Sequence, residues 1–82
     1  MPRYFFHSAD GGIDVDDEGV ELLDDRAART AAIRYAGEML TDQPDVVWNG
    51  SELRVQVTNE TGALVSTIVT LAVDTISPSR QS

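Results

Sequence analysis

The 82-residue chain has no cysteine, no lysine and a single histidine. Without cysteine there is no disulfide, no thiolate metal site and no thiol nucleophile. One histidine excludes a histidine-based structural zinc site within one chain. Without lysine there is no Schiff-base chemistry, and no Gly-x-Ser-x-Gly turn is present to present a serine nucleophile. The only cations are 6 arginines, set against 14 acidic residues, for a net charge of −8. That balance opposes binding to nucleic acid or to an anionic membrane, where affinity comes largely from cationic neutralisation of phosphate. No apolar stretch approaches the roughly 18–20 residues of a membrane-spanning helix. Met1-Pro2-Arg3 leads into aromatics and then Asp10 rather than into the apolar run of a secretory signal, so the expected location is the cytoplasm.

A chain of this length buries only about 60–65% of the surface its unfolded form exposes. Burial and ordering entropy therefore nearly cancel, and small domains commonly need a staple. With disulfide and zinc excluded, oligomerisation is the staple that remains. Aromatic residues make up only 6% of the chain, and three of them stand in a row at Tyr4-Phe5-Phe6, followed by His7. Such a segment reads as a strand that must be covered on both faces.

The first strand is expected over residues 3–8, with Tyr4, Phe6 and Ser8 on one face and Arg3, Phe5 and His7 on the other. Asp10-Gly11-Gly12 supplies a hairpin turn. A second strand begins near Ile13, with Ile13 and Val15 on a half-buried face. Asp16-Asp17-Glu18-Gly19 interrupts it with a bulge or turn before Val20 and Leu22. Asp24 or Asp25 caps a helix that runs to about residue 40 or 41, rich in alanine, with Ala28, Ala32, Tyr35, Ala36 and Met39 on one face. Asp25 with Arg29 and Arg34 with Glu38 stand at i,i+4 spacing for ion pairs. Gly37 weakens the helix by about 1 kcal/mol relative to alanine, which suggests a close backbone contact there. Pro44 ends the helix, and Asn49-Gly50 marks a turn. The third strand, residues 52–58, alternates cleanly, with Leu53, Val55 and Val57 on one face. Asn59 to Gly62 is a four-residue turn. The fourth strand, residues 63–73, is apolar on both faces: Val65, Val69, Leu71 and Val73 on one, Leu64, Ile68 and Ala72 on the other.

The fold class is therefore α+β, in the order β-β-α-β-β, with a four-stranded sheet and one helix packed on one face. Two-sided strands suit the middle of a sheet and one-sided strands its edges, which gives the spatial order 2-1-4-3. One domain is expected over residues 1–75, with 76–82 a disordered tail.

The opening Pro2-Arg3-Tyr4-Phe5-Phe6-His7, the Asp10-Gly11 turn, Asp17-Glu18-Gly19-Val20-Glu21-Leu22, and Asp25 followed by Ala28-Arg29 in an alanine-rich helix resemble a family of short bacterial proteins of unknown function, frequent in rhizobia and related soil bacteria. The likeness spans residues 2 to about 73 and departs at Val46-Val47-Trp48 and in the Ser/Pro tail. It implies a family but no activity, cofactor, partner or catalytic residue.

His7, with Tyr4 and Ser8 nearby, has the chemistry for acid–base work. His7 and Ser8 point to opposite faces of one strand and cannot pair locally, so His7 reads as a hydrogen-bonded structural residue and no catalytic residue is assigned. Asp14, Asp16, Glu18 and Asp25 stand at the first, third, fifth and twelfth places of a calcium-loop spacing, with Gly19 at the sixth. The short last carboxylate, Glu21 at the eighth place and the absence of an entering helix argue against a metal site. The acidic run reads instead as a charged edge that discourages strand-to-strand aggregation. Arg26, Arg29 and Arg34 read as a solvated helix face. No metal or cofactor is expected.

The expected function is that of a non-enzymatic protein–protein interaction module that forms a homodimer, with Phe5, Phe6, Trp48, Leu64 and Ile68 as interface candidates. One helix covers one face of the sheet, and the other face is left with apolar residues that call for a partner. The alternative is a small-ligand or divalent-cation binder acting through the acidic hairpin, residues 14–25.

Overall fold

The computed structural model describes residues 1–10, 12–48 and 51–73. Five strands and one helix follow in the order β1 (Arg3–Ala9), β2 (Ile13–Asp14), β3 (Val20–Glu21), α1 (Asp25–Asp42), a short 3₁₀ turn (Pro44–Val47), β4 (Glu52–Asn59) and β5 (Leu64–Leu71). The fold class is the expected one, an antiparallel sheet with a single helix on one face. The sheet runs β2-β1-β4-β5, and β3 pairs with β1 on the same edge as β2. The expected second strand is thus split in two, and the break falls at the acidic Gly-containing segment that was expected to interrupt it.

The strand order 2-1-4-3 is corrected. The third strand of the expected scheme, β4, lies in the middle beside β1, and the fourth, β5, forms an edge. The reason is the number of layers. Two-sided apolar strands mark the centre of a sheet covered on both faces. Among the described residues this sheet is covered on one face only, so its most buried strand needs only one apolar side. Leu53, Val55 and Val57 of β4 are fully buried under the helix, while Arg54 and Gln56 on the reverse side are exposed.

The core joins those three residues to Tyr4, Ala28, Ala32, Ala36 and Val47. The three alanines recur every four residues and are the buried residues of α1, so the helix sits close against the strands there, with Tyr35 and Met39 packed beside them. Asp24 caps the helix, its Oδ1 accepting from the Ala27 amide at 2.9 Å. Residues 25 and 29, and 34 and 38, do not close the expected ion pairs. The ion pairs among the described residues are Arg3–Glu21 and Arg54–Glu52, and the Asp25 carboxylate instead accepts from the Tyr4 hydroxyl at 2.7 Å. Gly37 meets no close neighbour either: a methyl group there would face open space.

α1 lies chiefly over β4 and β5. The β2 side of the sheet is therefore left partly uncovered. Ile13 and Val15, expected on a half-buried face, are 78% and 70% exposed; Ile13 pairs with Ala9 on the face away from the helix. The loop after the helix turns Val46 and Val47 inward, Val47 into the core and Val46 against it, and leaves Trp48 exposed. It does not reach across the open face of the sheet.

At the other hairpin, Asn59 organises the turn: its Oδ1 accepts from the Thr61 amide, the Thr61 hydroxyl and the Ala63 amide. A register irregularity follows, since Thr58 pairs with Leu64 but Val57 pairs with Ser66. The extra residue reverses the facing of the strand start. Leu64 therefore shares the open face with Val69 and Leu71, whereas simple alternation placed it opposite them. The expected turn at Asn49-Gly50 and the tail at 76–82 lie outside the described residues.

Candidate functional site

Two places on the molecule gather chemistry: the acidic hairpin with the groove beside it, and the edge strand β5. The hairpin is built on Asp16. β2 ends at Asp14 and β3 starts at Val20, so on that edge the middle of β1 lacks a neighbouring strand over the gap. The Asp16 side chain fills it. Its Oδ2 accepts from the Phe6 amide at 3.1 Å, and its Oδ1 accepts from the Glu18 and Gly19 amides at 3.0 and 3.1 Å. The carboxylate thus replaces a ladder bond and closes an Asx turn at once. Burial pushes the carboxyl up, but the three amides and the neighbouring His7 outweigh it and hold the group below the usual carboxylate range.

His7 locks the same segment from the other side. Its Nδ1 accepts from the Asp16 amide at 3.1 Å and its Nε2 lies 3.0 Å from the Thr58 hydroxyl. An acceptor Nδ1 places the proton of the neutral ring on Nε2, which donates to Thr58. Both ring nitrogens are engaged. Ser8 is buried on the opposite face, beneath the helix. Gly19 turns the chain with φ +70, and a methyl group there would stand 2.8 Å from the Tyr4 carbonyl oxygen and from the Phe5 ring. The glycine is needed both for its backbone conformation and for that close approach.

Asp14, Asp16, Glu18 and Asp25 do not converge. Asp16 is saturated by amides, Asp25 holds Tyr4, and Asp14 and Glu18 are exposed. Among the described residues no three His, Cys, Asp or Glu side chains are grouped to hold a metal ion. The hydroxyl of Tyr4 is pushed up to about 12 by its hydrogen bond to Asp25, by burial, and by the nearby carboxylates of Asp25, Asp24 and Glu60.

A groove of about 540 Å³ lies between α1 and residues 14–16, lined by Phe6, Asp14, Val15, Asp16, Ala31 and Tyr35. It exists because the helix leans toward β4 and β5. The Phe6 and Tyr35 rings meet edge to face, 6.2 Å between centroids. Ala31, one turn before Tyr35, leaves the space that a larger side chain would fill. Sequence reading put Tyr35 on the core face of the helix and did not connect it with the hairpin. The small residue four places before an aromatic was the available signal.

Of the interface candidates, Phe6 and Ile68 pack against the core on the helix side. Phe5 is half-buried on the open face against Gly19. Leu64 is exposed on that face, and Trp48 is exposed at the end of the 3₁₀ turn.

The family described as "Domain of unknown function (DUF6894)" matches residues 3–72. The chain belongs to this family. The match takes in every strand, the helix and the hairpin at Asp16, so the DUF6894 domain coincides with the fold described above. No curated protein and no solved structure matches the chain. No helix among the described residues is long and apolar enough to cross a membrane.

Proposed function

We propose that this DUF6894 domain is a non-enzymatic protein-contact module that works by pairing with a second copy of itself along β5. The observation that carries the reading is the chemistry of that edge. From Ala63 to Val73 the chain holds no charged residue and no proline. Leu64, Val69, Leu71 and Val73 are 59%, 47%, 58% and 76% exposed. Edge strands of soluble monomers are ordinarily blunted by charge, proline or a covering segment, because their free amides and carbonyls invite another strand. Among the described residues, β5 has none of these devices over its last six residues.

Charge argues for a second copy as the occupant. A two-fold contact sets like against like. At β5 that places uncharged strand on uncharged strand. At the opposite edge it would place Asp14, Asp17, Glu18 and Glu21 against their own copies. With −8 on each chain, the neutral edge is where two copies meet with least repulsion. Strand addition there extends the sheet through main-chain hydrogen bonds and sets the apolar stripes of the two copies side by side on the open face.

The test is the mass in solution by light scattering, across a hundredfold dilution series. The reading expects a mass near twice the 8.9 kDa of one chain, falling on dilution and rising with salt as the like charges are screened. Thr67 is exposed near the middle of β5, so Thr67→Lys sets two cations near each other across the pair and should yield a folded monomer. A wild-type mass of 8.9 kDa at every concentration overturns the reading.

A further inference from the structure

The groove beside the hairpin is remote from β5, on the helix side and at the other edge of the sheet. Its volume, about 540 Å³, is that of a small-molecule site. Its walls combine two features. One side is aromatic and apolar: the Phe6–Tyr35 pair, Ala31 and Val15. The other is anionic, with the carboxylates of Asp14 and Asp16. Among the described residues no basic side chain lines it. Asp16 is pinned by its three amides, so this negative charge is fixed in place. Asp14 is exposed on the rim and has no side-chain hydrogen bond among the described residues, so its carboxylate is free to accept from a ligand.

We propose that this groove binds a small organic cation, a primary ammonium on a short aromatic stem. The ammonium donates to the Asp14 carboxylate in a charge-assisted hydrogen bond. The stem lies against Tyr35 and Phe6, where ring faces attract both apolar surface and cationic charge. An anion is repelled by both carboxylates. A bare divalent ion is poorly served, because Asp16 already gives its oxygens to three amides and leaves Asp14 as the one free carboxylate lining the groove. A neutral apolar molecule gains the aromatic wall but nothing from Asp14. Charge complementarity therefore selects the ammonium.

The test is an NMR titration of the ¹⁵N-labelled full chain with phenethylammonium at neutral pH and constant ionic strength. Parallel arms use 3-phenylpropanol, which is neutral, 3-phenylpropionate, which is anionic, and N-acetyl-lysine-methylamide, which stands for a lysine of another protein. Phenethylammonium is expected to give saturable shifts confined to residues 6, 14–16, 31 and 35, with a dissociation constant of roughly millimolar or tighter. The alcohol is expected to bind about tenfold more weakly, corresponding to about 1.4 kcal/mol, and the carboxylate not at all. Asp14→Asn should weaken the ammonium about tenfold while leaving the remainder of the spectrum in place, since the Asp14 side chain is exposed. Equal binding of the alcohol, shifts centred elsewhere, or no saturation overturns the proposal. Tighter binding of the lysine derivative overturns it in favour of a protein side chain as the occupant.

Discussion

Replacing Asp16 by alanine should cost about 2–4 kcal/mol of folding stability, and the figure follows from what its carboxylate holds. Three backbone amides donate to it. The Glu18 amide is exposed and the Gly19 amide part-buried in a surface turn; both can regain water when the carboxylate goes, so each is worth about 0.5–1 kcal/mol. The Phe6 amide is part-buried on the sheet, and leaving it unpaired costs about 1–2 kcal/mol. A domain of this size has only about 5–10 kcal/mol in hand, so the loss is a large share. Thermal unfolding followed by far-ultraviolet circular dichroism should show it, with a fall in Tm of roughly 10–30 °C. Asp16→Asn should cost about half as much, because one amide oxygen can still serve Glu18 and Gly19 while its NH₂ faces the Phe6 donor. The carboxyl is held below its usual range in the fold, so its stabilisation is present above that range and is lost as pH falls through the folded-state value. Asp16→Ala should therefore flatten the acid limb of the stability profile. A loss under about 0.5 kcal/mol would refute the view that this carboxylate replaces the missing strand.

Gly37→Ala should stabilise the protein by about 0.5–1 kcal/mol, since the position is mid-helix with open space around it; a lower Tm would contradict this. Gly19→Ala should destabilise by about 2 kcal/mol or more, because positive φ and contact with the Tyr4 carbonyl coincide there; urea unfolding reads it directly. Tyr4 has its hydroxyl raised to about 12, above its unfolded value near 10. Its contribution is therefore fully present below pH ~10 and lost as pH rises toward 12. Tyr4→Phe should remove that alkaline loss, as followed by Tm against pH.

Elements whose pattern is local were legible from the residues. The alanine spacing at 28, 32 and 36, the Asp24 cap and the one-sided alternation of Leu53, Val55 and Val57 each carry their own geometry. The strand order was not legible, because it depends on how many faces of the sheet are covered, and no single strand encodes that. The facing of Leu64 was hidden by a one-residue irregularity after Asn59, which shifts the alternation without a glycine to mark it. The acidic run was visible as chemistry, yet its role was not. That Asp16 bonds to Phe6, ten residues earlier, follows only once the hairpin closes. The groove was least visible, since Tyr35 and Asp14 come to line one groove only through the tertiary placement of α1 beside the hairpin.

The central claim is that β5 of one copy pairs with β5 of another. Isotope-filtered NOE spectroscopy on an equimolar mixture of ¹³C,¹⁵N-labelled and unlabelled chains tests it most directly, because the only cross-peaks retained are between molecules. The account predicts intermolecular contacts confined to residues 64–73, with antiparallel backbone contacts along Leu64–Leu71, and their disappearance in Thr67→Lys. Intermolecular contacts from the β2 and β3 edge, or none at concentrations where the mass is dimeric, would contradict it.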